Sequence, residues 1–178
     1  MLTLATVTPG EAEIFASLQG EGPSMGRPST FVRLSRCNLA CRWCDTAYTW
    51  RFTGDNRPHR DDLAFERNAN QLILDEAEVA ARIAALSPDR LVITGGEPLL
   101  RTDVVDIVRR LAAISGPHGP VEIAMTTNGI RLADMLPDLA AAGRVGIGGS
   151  IPDWIEMGSF RNQSIPGLTP MGHYGYFI

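Results

Sequence analysis

An α/β fold built on a parallel sheet is what this sequence predicts, and three observations predict it. Short runs rich in β-branched residues recur along the chain, helical patterns fill the gaps between them, and distinctive polar motifs fall immediately after the runs. The first run is Phe31-Val32-Arg33-Leu34, followed by a serine, and the second is Leu91-Val92-Ile93-Thr94, followed by a glycine pair. Val121-Glu122-Ile123-Ala124-Met125 is the third and Arg144-Val145-Gly146-Ile147 the fourth. Each is bounded by glycine, serine, threonine or asparagine, as strands are. Between the first two, a helix starts near Asp75 and places Val79, Ile83 and Leu86 on one face. Val104, Ile107, Val108 and Leu111 align in the same way before the third strand, as do Leu132, Met135, Leu136 and Leu139 before the fourth. Strand-helix-strand repeats join parallel neighbours through right-handed crossovers. Ligands then gather at the carboxyl ends of the strands, whether the sheet is open or barrelled. About four core strands are legible. Residues 51–74 are polar and turn-rich at first and read as an insertion able to form a lid. Residues 148–178, rich in glycine and proline without sustained periodicity, read as an irregular tail. At 178 residues, the chain reads as one domain spanning 1–178.

Composition narrows the chemistry. With 44% hydrophobic and 20% charged residues the chain is globular in type, and a formal net charge of -4 argues against nucleic acid as a partner. All 16 basic residues are arginine, so Schiff-base chemistry, a P-loop lysine and a lysine general base are excluded. The opening residues lack a basic segment followed by an apolar one, and no stretch approaches the roughly 20 apolar residues of a membrane helix. No membrane partner is expected, and the compartment expected is the cytoplasm.

All three cysteines, Cys37, Cys41 and Cys44, lie within eight residues directly after the first strand. An odd, clustered set suits metal binding in a reducing compartment better than a disulfide framework. Three thiolates on one loop can each hold an iron of a 4Fe-4S cluster, which usually takes four cysteines, so the fourth iron keeps an open site. Asn38 and the small Ala40 permit a loop in which backbone amides turn toward the sulfurs. Two alternatives stand beside the cluster: a structural zinc site, needing a fourth ligand such as His59, and cysteines that are simply buried. After the second strand, Gly95-Gly96-Glu97-Pro98 offers glycines that admit a close approach, a proline that stiffens the exit and, in Glu97, an acceptor for an ammonium group. Asn128, after the third strand, is either a ligand contact or a turn-forming asparagine.

The spacing Cys37, Cys41, Trp43, Cys44, with the glycine-glycine-glutamate-proline turn beside it, resembles the radical S-adenosylmethionine (radical SAM) superfamily. The resemblance implies a small, partial parallel β/α barrel with an irregular tail. It also implies S-adenosylmethionine at the open iron and cleavage of its carbon-sulfur bond by an electron from the cluster. Within the superfamily, EIFASLQGEG (13–22), TFVRLSRCNLACRWCDTAYTW (30–50) and LVITGGEPLL (91–100) resemble the 7-carboxy-7-deazaguanine synthases, which contract the ring of 6-carboxy-5,6,7,8-tetrahydropterin in queuosine and deazapurine biosynthesis. That resemblance implies substrate contacts from Leu18, Gln19, Gly20, Glu21, Arg33 and Thr94. It implies cofactor contacts from Trp43, Asp45 and Gly96, joined by Gly95, Glu97 and Asn128 as above, and a magnesium ion at Thr46. It further implies a homodimer and an electron donor such as flavodoxin or ferredoxin.

These roles suit the residue types. The edge of a pterin offers donors and acceptors to Gln19 and Glu21, and Arg33 can neutralise a carboxylate. Magnesium keeps several waters, so one threonine hydroxyl with substrate oxygens and water suffices. The synthases' later serine-proline-lysine segment has no counterpart in a chain without lysine, which offers Gly149-Ser150-Ile151-Pro152. EIAMTTNGIRLADMLPDLAAAGRV (122–145) is more similar to the GTP 3',8-cyclases, whose second cysteine set is absent. A glycyl-radical activase, a cyclase-like enzyme acting on GTP, and a catalytically inactive iron-sulfur or zinc protein are the alternative functions.

Overall fold

The computed structural model describes residues 1–20, 24–42, 44–143, 145–149, 169–170 and 175–177. In chain order its strands are β1 (Leu2–Ala5), β2 (Ile14–Leu18), β3 (Pro28–Arg33), β4 (Gln71–Leu74), β5 (Arg90–Thr94), β6 (Ser115–Gly116), β7 (Gly119–Pro120), β8 (Glu122–Thr127), β9 (Val145–Gly149), β10 (Thr169–Pro170) and β11 (Gly175–Phe177). The helices are α1 (Arg67–Asn70), α2 (Glu76–Ala85), α3 (Val104–Ala112) and α4 (Leu132–Ala142).

One seven-stranded sheet runs in the order β10-β11-β9-β8-β5-β3-β2. Its centre is the four parallel strands expected from sequence, β3, β5, β8 and β9. These strands lie side by side in chain order, so each crossover steps the same way and the order never reverses. A doubly wound sheet reverses its order at a switch point, whereas stepwise winding with crossovers of one hand puts every helix on one face, as in a barrel. The packing follows that rule. Val32, Leu91, Ile93, Ile123, Met125, Val145 and Ile147 join Val79 and Ile83 of α2, Val104 and Val108 of α3, and Leu132, Leu136 and Leu139 of α4 in one buried cluster. Side chains alternate across a strand, so Phe31, Arg33, Val92, Thr94 and Thr126 fall on the opposite face, where among the described residues no helix covers them. Among the described residues the sheet stays open between β2 and β10, as in a partial barrel.

Helix α2 begins where the sequence predicts: Asp75 caps it, accepting from the Glu78 amide at 2.8 Å. Leu139 is fully buried in the cluster. Leu139→Ala is therefore expected to lower unfolding free energy by about 2–5 kcal/mol, as lost burial and an unfilled cavity add together. Chemical denaturation checks this, and a loss below about 1 kcal/mol would contradict the placement.

Three pairings extend what the sequence predicts. The sheet is larger than four strands because β2 pairs antiparallel with β3, Ile14 opposite Val32 and Leu18 opposite Pro28. The tail is not irregular throughout: β11 pairs antiparallel with β9 and β10 with β11, extending the sheet beyond the parallel core. The end of the 51–74 stretch is also a strand, since β4 pairs with β1 from Leu2 opposite Leu74 to Ala5 opposite Gln71. That ribbon adds Leu2, Leu4 and Leu74 to the core. Among the described residues no helix is long and apolar enough to cross a membrane.

Candidate active site

The carboxyl ends of β3, β5 and β8 meet at one side of the sheet, and the backbone there is locked by two unusual turns. Gly95 and Gly96 have φ of 73° and 49°, in the left-handed region that side chains avoid. A Cβ on Gly95 would overlap the Arg33 side chain and the Leu34 carbonyl, and one on Gly96 would overlap the Arg36 carbonyl. The glycines thus admit the backbone that leads into the cysteine loop. Arg36 itself has φ of 82°, a strained value for a residue with a side chain. Its amide donates to the Thr49 carbonyl at 2.7 Å and its carbonyl accepts from the Glu97 amide at 2.8 Å, so both sides of the strained peptide are fixed.

Glu97 is 3% exposed, and its carboxylate turns inward. One carboxylate oxygen accepts from the Leu99 amide at 2.8 Å and the Thr127 hydroxyl at 2.7 Å, and the other accepts from the Asn128 amide at 2.7 Å. The carboxylate is drawn in because these donors at the ends of β5 and β8 have no helix or ladder to satisfy them. Asn128 carries the link onward, donating from its amide to the Asn38 side chain at 2.9 Å and accepting from the Ile130 amide at 3.0 Å. The Asx turn and the contact with the cysteine loop therefore coexist in one residue.

Above these turns a cavity of about 440 Å³ opens on the uncovered face of the sheet. That volume suits a small-molecule site. Cys37, Cys41 and Cys44 line it, together with Leu18, Gln19 and Gly20 from the end of β2, and Arg33 and Thr94 from strands. Asp45, Thr46, Gly95, Gly96 and Asn128 complete the expected set, and Glu97 lies behind the wall. Glu21 and Trp43 lie outside the described residues, as do Ser150, Ile151 and Pro152 of the segment opposite the missing lysine motif.

The cysteine loop has the features of a cluster-binding loop. All three thiols are half-buried and free. The Leu39 amide donates to Cys37 Sγ at 3.4 Å, the Trp50 indole N–H donates to Cys44 Sγ at 3.4 Å, and the Thr46 hydroxyl stands 3.6 Å from Cys44 Sγ. Burial pushes the Cys37 thiol up to about 11 and also raises Cys41, where the Cys44 thiol beside it adds to the effect. Iron must displace those protons to bind. Among the described residues no three histidine, cysteine or acidic side chains converge on a point where one ion would sit. His59 is spoken for as well: Nε2 contacts the Cys44 carbonyl at 2.8 Å, and Nδ1 accepts from the Asp61 amide at 3.3 Å.

Sequence reasoning missed the residues that support this loop. Within residues 51–74, expected as an insertion able to form a lid, Arg57 and His59 pack behind the loop. Arg57 donates to the Cys37 and Leu39 carbonyls, both at 3.1 Å, while Asp55 anchors its guanidinium. Hydrogen bonds from Arg57 hold the Asp55 carboxyl below the usual range. On the wall formed by β3, Tyr48 receives a hydrogen bond from Arg33 at 3.1 Å and donates to Glu13 at 2.8 Å, so Glu13 and Tyr48 aim Arg33 across the cavity. Burial, with the Glu13 contact, raises the Tyr48 phenol.

The radical SAM superfamily model matches residues 32–155, the span from β3 through the cysteine loop and past β9. The chain belongs to the radical SAM superfamily. Radical SAM proteins use a 4Fe-4S cluster and S-adenosylmethionine, and the three thiolates with their N–H donors fit the cluster. Among individual relatives, a 7-carboxy-7-deazaguanine synthase of Koribacter versatilis is 38% identical over 169 residues, 93% of this chain and 63% of the relative. A GTP 3',8-cyclase of Geobacter sulfurreducens is 32% identical over 152 residues, 84% of this chain and 40% of the relative. The likeness to the synthase thus extends well beyond residue 103, while the cyclase likeness noted in residues 122–145 persists beside it. A crystal structure of QueE from Escherichia coli overlaps with a TM-score of 0.46 at 24% identity, covering 71% of this chain and 53% of that one. The chain spans less than two thirds of the length of these curated relatives.

Proposed function

We propose that this chain is a 7-carboxy-7-deazaguanine synthase, contracting the ring of 6-carboxy-5,6,7,8-tetrahydropterin with loss of ammonia. The observation that carries this reading is the shared cavity: the end of β2, Arg33 and Thr94 face the same space as the three cysteines. A pterin there would lie within reach of whatever binds at the open iron. Bound S-adenosylmethionine supplies a 5'-deoxyadenosyl radical able to abstract a substrate hydrogen. The protein's part is binding, orientation and exclusion of water.

Arg33 receives the substrate carboxylate, with Glu13 and Tyr48 fixing the guanidinium so that little side-chain entropy is lost on binding. Gln19, Glu21 and the backbone at Leu18 and Gly20 read the pterin edge, and Thr94 closes the floor. Trp43, Asp45, Gly95, Gly96 and Asn128 are assigned to the cofactor, with Glu97 holding that wall in shape. Thr46 offers its hydroxyl to a magnesium ion, which would assist the rearrangement. The remaining parts of the proposal are a single core domain, a homodimer, a flavodoxin or ferredoxin as reductant, and a cytoplasmic site of action.

A second reading, a cyclase-like enzyme acting on GTP, draws support from the Geobacter relative. One experiment separates the two. Anaerobically reconstituted protein is incubated with S-adenosylmethionine, magnesium, dithionite and either 6-carboxytetrahydropterin or GTP, and the products are read by mass spectrometry. 7-Carboxy-7-deazaguanine with deoxyadenosine is the expected result. Deoxyadenosine and a cyclised nucleotide from GTP alone would replace the synthase reading with the cyclase one.

A further inference from the structure

The segment behind the cysteine loop does more than fill space. Trp50 is 4% exposed, and its one polar atom, the indole N–H, is directed at Cys44 Sγ at 3.4 Å. Two neighbours hold the ring in that attitude. The Arg57 guanidinium lies 4.5 Å from its centroid in a cation-π contact, and the His59 ring meets it edge-on at 6.2 Å. Both neighbours also grip the loop itself, His59 at the Cys44 carbonyl and Arg57 at the Cys37 and Leu39 carbonyls. The indole is therefore fixed relative to the sulfur by contacts on both sides of it.

An N–H dipole aimed at a ligating sulfur stabilises negative charge there. A reduced cluster carries one more electron than an oxidised one, so the reduced form gains more and the potential rises. We propose that Trp50 is a positioning residue for the cluster: its indole N–H, held by Arg57 and His59, raises the reduction potential through Cys44. The inference rests on the reading of Cys44 as an iron ligand. It concerns how readily the cluster accepts an electron, whatever the substrate.

The test compares wild-type protein with Trp50→Phe, which keeps an aromatic ring under Arg57 and removes the donor along with the second ring. Both are reconstituted anaerobically, their iron is counted, and their potentials are measured by titration followed by electron paramagnetic resonance. The expected result is full iron loading in both. At a fixed solution potential, the ratio of reduced to oxidised cluster should be about three- to tenfold lower in the variant. Tenfold corresponds to about 59 mV for one electron. A purely structural tryptophan would leave the potential unchanged while lowering the melting temperature, and that outcome overturns the proposal. If Trp50→Phe fails to accumulate, Arg57→Lys keeps the positive charge beside the loop while loosening the hold on the indole, and gives the same readout. Its potential should fall by a smaller amount, and an unchanged potential overturns the proposal equally. Failure of wild-type protein to bind iron would instead remove the ligand reading on which the inference stands, and the iron count reveals that before any potential is measured.

Discussion

Cys41→Ala is expected to yield folded protein that neither retains a 4Fe-4S cluster nor releases deoxyadenosine from S-adenosylmethionine. Three thiolates hold three irons, and His59 beside the loop is already engaged by the Cys44 carbonyl and the Asp61 amide. With two protein ligands remaining, a second iron would open to solvent, and clusters with that exposure are lost or degraded in air. The cost to the fold should be small, within about 1 kcal/mol, because Cys41 is only half-buried on the cavity wall and makes no core contact. Iron analysis, visible absorption after anaerobic reconstitution and deoxyadenosine release measure the two functions, and circular dichroism checks the fold. Retention of both iron and cleavage would sink the cluster assignment. Loss of folding would show that the loop is structural as well.

Much of the architecture was legible because its signals are local. Leu91-Val92-Ile93-Thr94 and the helix capped by Asp75 carry their own periodicity and punctuation, and the structure places both where the pattern put them. Other strands are weak by themselves and exist because a neighbour offers an edge. Ile14-Phe15-Ala16-Ser17-Leu18 has no clean alternation but pairs along β3 from Pro28 to Val32, and Leu72-Ile73-Leu74 reads as the approach to a helix until β1 lies beside it. The cavity residues were found through motifs, which gather glycine, cysteine and polar side chains in a recognisable order. The supporting roles of Trp50, Arg57 and His59 escaped for a physical reason. They act on backbone carbonyls and on one sulfur after the chain doubles back, and a carbonyl acceptor has no side-chain signature to read. The turn-rich composition of residues 51–62 marked them as loop, and only the fold shows that this loop is a buttress.

Glu97 supplies the second large effect, and it separates two roles for the same carboxylate. If its function were only to receive an ammonium group, Glu97→Gln would leave the iron-free, ligand-free protein as stable as wild type. The geometry predicts otherwise. Three donors converge on the buried carboxylate, two on one oxygen and one on the other, so an amide nitrogen in place of either oxygen must face an N–H or O–H donor. A buried donor left without an acceptor costs about 1–3 kcal/mol, and loss of charge-assisted bonds adds to it. Glu97→Gln is therefore expected to lower the stability of the apo protein by about 2–4 kcal/mol. In a chain of this size that corresponds to a melting temperature lower by roughly 5–15 °C. The damage should spread along the connection from Glu97 through Asn128 to Asn38, loosening the cysteine loop, so that iron loading after reconstitution falls too. Asn128→Ala, which cuts the link to Asn38 but leaves its own amide on Glu97, should reduce iron loading with a smaller loss of stability. An apo melting temperature unchanged in Glu97→Gln would return the carboxylate to the ligand side of the wall.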